Sequence, residues 1–432
     1  MGNEPSLQAP SHFPQRTPYQ GSGLVATHNA GFLDGAAFVL PIPPRAILDE
    51  MTRMSNATNS RNAYVPDRAV WGRVTPSEAG LDAAKVQAAV AFAETSDSPW
   101  PRSFYYPDGR YVGIVEWNET GPWSEVVGPV VPRGGPAGMI LRGGRIVAEW
   151  GDTARPDMTF SVAKSYLAVL AGLAVSDGLI MSVDEPVGAT VKGPWFASAH
   201  NAGITWRHLL QQASEWQGEL WGKSDQVDHN RQIGVGADNS RKGQRRELKA
   251  PGTHYEYNDV RVNLLALCLL QRFGRALPDV LRERVMDPIG ASKSWEWHGY
   301  RTSWTEVKGQ HVQSVSGGAH WGGGMLIGAR DQARLGLLVA RGGRWGDRQI
   351  LPEAWIKDMF TPSPTNASYG YMWWLNQGPA RRPGAPATSV FALGAGNNII
   401  WVDPDHDLVT VLRWIDGTAV GGFIKRLMAA VR

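Results

Sequence analysis

The chain has 432 residues, 43% hydrophobic and 19% charged, which is too apolar and too weakly charged for a disordered protein. Its 43 Lys and Arg against 40 Asp and Glu leave a formal charge of +3, which argues against a dedicated nucleic-acid binder. The single cysteine, Cys268, excludes an intramolecular disulfide and any site built on several cysteines, and its apolar run 264–270 makes it a buried hydrophobe.

Residues 1–70 are rich in Pro, Asn and Gly without sustained periodicity, and read as an extended arm. The first thirty residues carry no basic segment followed by an apolar one, and no stretch reaches the ~18 apolar residues of a membrane span. A cytoplasmic protein without membrane contact is expected, or a periplasmic one if a signal was trimmed. Thr75-Pro76-Ser77-Glu78 has the pattern of a helix start, and Asp82 to Glu94 shows helical spacing. Gly138 to Trp150 reads as a hairpin around Gly143-Gly144, followed by a helix from Val162 to Ser176 that is apolar nearly all round and so buried.

Between 180 and 330 the patterns are mainly helical, clearest at Trp206–Gln212 and Asp259–Phe273, and a further helix is expected at Ala329–Ala340. Strands follow at Tyr369–Leu375, Ser389–Val402 and Leu408–Trp414, with Asp403-Pro404-Asp405 as a turn and a closing helix over 420–430. The expectation is an α+β fold: an antiparallel sheet flanked by helices, assembled from 71–180 and 330–432, with a mainly helical domain at 181–329. A cleft at that junction is the default site.

Several familiar sites are absent. There is no Gly-x-Ser-x-Gly elbow and no His-Glu-x-x-His. Gly222-Lys223-Ser224 resembles the end of a phosphate loop, but Gln217 stands where its first glycine is needed. No two histidines are spaced i, i+4 to bind a metal from one helix face.

What remains is Ser161-Val162-Ala163-Lys164 at the start of the buried helix. Residues three apart share a helix face, so the Lys164 ammonium nitrogen can reach the Ser161 hydroxyl. Serine becomes a good nucleophile only when a base takes its proton, and a desolvated lysine can serve. The alternative is a capping-region serine beside a surface lysine. A second element, Pro251-Gly252-Thr253-His254-Tyr255-Glu256-Tyr257-Asn258-Asp259, leads into the helix holding Cys268 and could aim a tyrosine phenol at the cleft, or be a turn with two packing aromatics. A third, Phe391 to Asn398, places glycines in a strand, where a ligand can approach the backbone; its alternative is a twisted or bulged strand.

Glu215, Trp216, Glu219, Trp221 and Asp225 form an acidic, aromatic stretch that could hold a substrate ammonium, or be a loop with packing tryptophans. His320-Trp321-Gly322 is another candidate wall, with a packed loop as its alternative. Arg241 to Arg246 is a basic run expected on an exposed loop.

Taken together and in order, these elements resemble the serine β-lactamase-like hydrolases, nearest the group of class C β-lactamases, carboxylesterases and 6-aminohexanoate-dimer hydrolases. The carriers are Ser161-x-x-Lys164, Pro251-Gly252-Thr253-x-Tyr255-x-Tyr257, Gly322-Gly323-Gly324-Met325 with Ala329-Arg330-Asp331, and the late Asp403-Pro404 strand pair. The resemblance spans Gly138 to the C-terminus and implies a β-lactamase/transpeptidase-like fold. It implies Ser161 as the acylated nucleophile, Lys164 as its general base and Tyr257 assisting proton transfer. The oxyanion hole would be the N–H groups of Ser161 and Ala395, water would release the acyl group, and no metal or organic cofactor is implied.

Two departures bear on the substrate. Asp259 stands where the family usually has Asn, which affects the expected contact with a substrate carbonyl. Ala392-Leu393-Gly394 replaces the family's Lys-Thr-Gly or His-x-Gly, keeping the glycine that lines the site and losing the cation. A neutral or hydrophobic ester or amide is therefore expected over the carboxylate-bearing substrates of β-lactamases, D-aminopeptidases and penicillin-binding proteins. A catalytically silent binding protein on the same fold is the reading from another class.

Overall fold

A computed structural model describes residues 64–432 except 120, 235 and 379–381. Of the arm expected at 1–70, residues up to 63 lie outside that range. Strands β1 (Ala137–Arg142) and β2 (Arg145–Trp150) form the hairpin around Gly143-Gly144, both with positive φ. The two-residue strand β3 (Asp157–Met158) leads into helix α2 (Val162–Ser176), and α1 (Ala83–Thr95) precedes them all. Asp82 caps α1 by accepting from the Lys85 N–H; the helix start expected at Thr75 is only a turn, closed reciprocally by Thr75 and Glu78.

Helices α3 (Trp206–Leu210) and α4 (Asp259–Phe273) follow, then strands β4 (Glu296–Val307), β5 (Gln310–Val315) and β6 (Gly324–Ile327), then α5 (Ala329–Ala340). The helical reading of 181–329 therefore fails from Glu296 onward. Lys308 and Gly309 both take positive φ and fold β4 onto β5, a tight hairpin turn that a helix cannot contain. The chain closes with β7 (Trp374–Leu375), β8 (Val390–Gly394), β9 (Asn398–Asp403), β10 (Leu408–Arg413) and α6 (Val420–Ala430). The single strand expected over Ser389–Val402 is instead two, because Gly396 and Asn397 take positive φ and turn the chain back, pairing Gly394 with Asn398. Of the strand expected at 369–375 only the last two residues pair in the sheet; Met372 has φ 56°.

The main sheet runs β7-β8-β9-β10-β1-β2, antiparallel throughout, so both ends of the chain contribute to it. Alternation of side chains divides its two faces. Ile399 and Trp401 join α1 and α6 on one face; Ile400 and Val402 join α2 and α5 on the other. A second, four-stranded antiparallel sheet runs β3-β6-β4-β5, and its edge strand β3 immediately precedes α2 in the chain. Among the described residues no helix is long and apolar enough to cross a membrane.

Gly336 lets α5 press on the main sheet: a Cβ there would lie 2.7 Å from Val409 Cγ1 and 2.9 Å from Ile400 Cγ2. Gly336→Leu should therefore lower the free energy of unfolding by about 1–3 kcal/mol through overpacking, read by urea denaturation; an unchanged midpoint would show that the helix can lift at no cost.

Candidate active site

Ser161 immediately precedes α2, whose residues Val162–Ala174 are all buried, yet Ser161 itself is half-buried. Phe160, just before it, is buried with φ 51°, a left-handed conformation that costs about 1–3 kcal/mol for a bulky residue. Its ring is fixed by Trp100, Phe104 and Trp414 at 5.4–6.3 Å. The strained turn swings the serine to the lip of the helix. One turn on, Lys164 Nζ donates to Ser161 Oγ at 2.7 Å.

Two glycines bring backbone against this turn. A Cβ on Gly318 would lie 3.2 Å from Lys164 Nζ and 3.4 Å from Ser161 Oγ. A Cβ on Gly394 would lie 2.0 Å from the Thr159 carbonyl oxygen, so only glycine lets the end of β8 pass so close to the start of α2. Ala395, the next residue, is half-buried.

Lys164 is 1% exposed and forms an ion pair of 2.5 Å with Asp259 Oδ1. Asp259 is the first residue of α4, a helix capped by Asn258 through the N–H groups of Val260 and Arg261. Tyr257 is buried, its ring centroid 4.8 Å from Lys164 Nζ, stacked on Trp374 and edge-on to Tyr369. The other Asp259 oxygen meets Arg231 Nη1 at 2.7 Å and His320 Nδ1 at 2.9 Å. The Arg231 guanidinium lies 5.3 Å from both the Tyr257 and Trp117 rings.

The network continues inward. His320 Nε2 meets Glu119 Oε1 at 2.6 Å, and Glu119 pairs with Lys242, whose Nζ also lies 3.3 Å from Asp228 Oδ1. Asp228 Oδ2 accepts the Asp259 backbone N–H at 2.7 Å. Burial disfavours both members of the Lys164–Asp259 pair as ions. The pairing reverses this: Lys164, Arg231 and His320 hold the Asp259 carboxyl well below the usual range, and Asp259 raises Lys164 above the ordinary lysine value. Glu119, Asp228 and His320 bring ligand-type atoms within 4.8 Å of one another, but the cation seated among them is the Lys242 ammonium.

Five expected substrate-side residues are turned inward. Glu215 is fully buried and accepts from Arg246, Arg261 and the Lys249 N–H; burial pushes its carboxyl up, but these partners hold it down at about 2. It is a structural tie and not a free carboxylate for a substrate ammonium. Trp216 is buried and donates from Nε1 to the Trp195 carbonyl. His320 and Trp321 are buried and stacked 3.9 Å apart, with the Lys223 ammonium 5.1 Å from the Trp321 ring, so neither is a cleft wall. Asp225 likewise pairs with His229 and Arg261.

Asp259, expected to sit near a substrate carbonyl, faces Lys164 instead. Trp221 is half-buried against Tyr300. Glu219 is exposed and borders a cavity of about 800 Å³ with His200, Gln217, Ser224, His229 and Arg245; Ser161, Lys164 and Tyr257 are not in its lining. The basic run 241–246 is also not simply exposed, because Lys242 is buried on Glu119 and Arg246 ties Glu215 to Glu256. Glu119, Asp228, Arg231 and Gly318 were not anticipated; they come from three segments, at 119, 228–231 and 318, with no shared local pattern.

The family model described as Beta-lactamase matches residues 132–414. Among solved structures, a Bacteroides dorei protein provisionally assigned as a beta-lactamase is 15% identical, with 68% of this chain and 93% of that one covered at a TM-score of 0.50. The hydrolase EstCE1, described as having promiscuous acyltransferase activity, is 17% identical over 68% and 93% at 0.49. A penicillin-binding protein homologue from Caulobacter crescentus is 17% identical over 75% and 97%, also at 0.49. Likeness at such identities speaks to the fold alone. No protein of curated function matches the sequence.

Because the Glu215 carboxyl is held at about 2, below its ordinary 4.5, the stability it supplies is complete above that ordinary value and is lost as pH falls toward 2. Glu215→Gln should flatten this part of the acid-unfolding curve and, by leaving Arg246 and Arg261 short of charge, cost about 3–5 kcal/mol near neutral pH. Urea denaturation across the acid range checks both effects.

Proposed function

The chain belongs to the beta-lactamase family, whose α+β, β-lactamase/transpeptidase-like fold it shares, and on that footing we propose a serine hydrolase that cleaves a carboxylic ester or amide through an acyl-enzyme on Ser161. The observation that carries this reading is the 2.7 Å contact between Ser161 Oγ and Lys164 Nζ, at a half-buried serine on the start of a buried helix. In the neutral form Lys164 takes the hydroxyl proton as Oγ attacks the carbonyl carbon. The N–H groups of Ser161 and Ala395 receive the developing oxyanion, consistent with the close passage of Gly394 by Thr159. Tyr257, against Lys164, assists proton delivery to the leaving group, and water then releases the acyl group.

A neutral substrate suits the site better than a carboxylate. Ala392 is buried where a related strand carries a cation, and the nearby cation, Arg231, is already engaged by Asp228 and Asp259. This separates the proposal from a β-lactamase or D-aminopeptidase activity. The ion pair that occupies Lys164 favours a second reading, a silent binding protein on the same fold.

Treatment with a fluorophosphonate and with p-nitrophenyl butyrate should give one covalent adduct by intact mass and measurable ester cleavage. Both should vanish in Ser161→Ala. Lys164→Ala should slow adduct formation by about 10²–10⁴-fold, the usual contribution of a general base. Acylation at an undiminished rate without Lys164 would overturn the mechanism, and no adduct in the wild type would favour the silent scaffold.

A further inference from the structure

The neighbours of Lys164 determine whether it can act as a base. On its own helix it faces Ser161, and backbone at Gly318 closes one side. Asp259 from α4 lies 2.5 Å away, the Tyr257 ring just before α4 lies 4.8 Å away, and Arg231 adds positive charge from the preceding loop. His320, next but one to Gly318, faces Asp259 and not Lys164; Glu119, Asp228 and Lys242 lie beyond it. The only carboxylate in contact with Lys164 among the described residues is Asp259.

A lysine that accepts the serine proton must first be neutral. Here Lys164 Nζ lies 2.7 Å from Ser161 Oγ on one side and 2.5 Å from a buried carboxylate oxygen on the other. The asparagine expected at position 259 by family resemblance would offer a dipole; the aspartate offers a full charge, whose attraction grows as water is excluded. We propose that Asp259 sets the working pH of this site by keeping Lys164 as the ammonium in the resting protein, so that Ser161 is activated in alkaline solution. This rests on the serine-hydrolase reading.

The proton balance is closed by solvent. Hydroxide takes one proton from Lys164; the amine then takes the Ser161 proton as the Oγ–C bond forms, and the Lys164–Asp259 ion pair is restored in the tetrahedral intermediate. Asp259 is thus a positioning residue that suppresses the base at neutral pH and stabilises its protonated product in the transition state. Asp259→Asn should act in two opposite directions: faster acylation near neutrality and a lower plateau in alkali.

The first measurement needs no activity. In protein labelled with ¹³Cε-lysine, the Lys164 resonance, assigned by its loss in Lys164→Ala, should not titrate until above about pH 10.4, the ordinary lysine value. Titration below that value overturns the proposal. The second is the rate of fluorophosphonate labelling against pH. The alkaline limb should move down by about 1–3 pH units in Asp259→Asn, the usual effect of an opposite charge at contact distance; an unmoved limb also overturns it. Absence of labelling at every pH would sink the hydrolase reading, while the titration still judges the ion pair. If Asp259→Asn does not fold, the wild-type titration and the position of the wild-type limb decide.

Discussion

Asp259 joins three other parts of the chain, around residues 164, 228–231 and 320. Its carboxylate meets Lys164 on α2, Arg231 on a loop and His320 beside Gly318, while its backbone N–H is held by Asp228. Each of these groups is buried, and burying any one of them as an ion by itself would cost several kcal/mol. They are tolerable together because cations and anions alternate: Lys164, Asp259, Arg231, Asp228, Lys242, Glu119. Removing one member strands the others, so the geometry around Ser161 and the integrity of the surrounding loops depend on the same charges.

A second cluster does similar work next door. Glu215 with Arg246 and Arg261, and Asp225 with His229, tie the chain between 215 and 246 to α4. The two clusters share α4, since Asp259 and Arg261 lie two residues apart at its first turn. The segment that presents Tyr257 is therefore anchored by charge on one side and by stacking on Trp374 on the other. Under the proposed mechanism, this anchoring would keep the tyrosine and lysine in a fixed relation to the serine.

The backbone contributes through strain and close approach. Phe160 holds an unfavourable φ because aromatic rings pack around it, and that turn lifts Ser161 out of an otherwise buried helix. Gly318 and Gly394 bring two further strands of chain to within contact of that turn. Together these features leave a serine that is reachable beside a lysine that is not.

Local pattern was enough for the elements that depend on nearest neighbours. Helices at Val162–Ser176, Asp259–Phe273 and Val420–Ala430, and the hairpin at Gly143-Gly144, follow from helical or alternating spacing and from turn residues. The β4–β5 hairpin was missed, because the reading of 181–329 as mainly helical passed over the turn at Lys308-Gly309. Ser161 and Lys164 could be paired from sequence because three residues on a helix are always neighbours. Whether Glu215 and His320 face solvent or buried partners could not, because those partners lie dozens to hundreds of positions away. The same holds for Asp259: its identity was readable in the chain, but only the tertiary structure puts its charge 2.5 Å from Lys164, since that contact joins two helices whose approach is decided by packing.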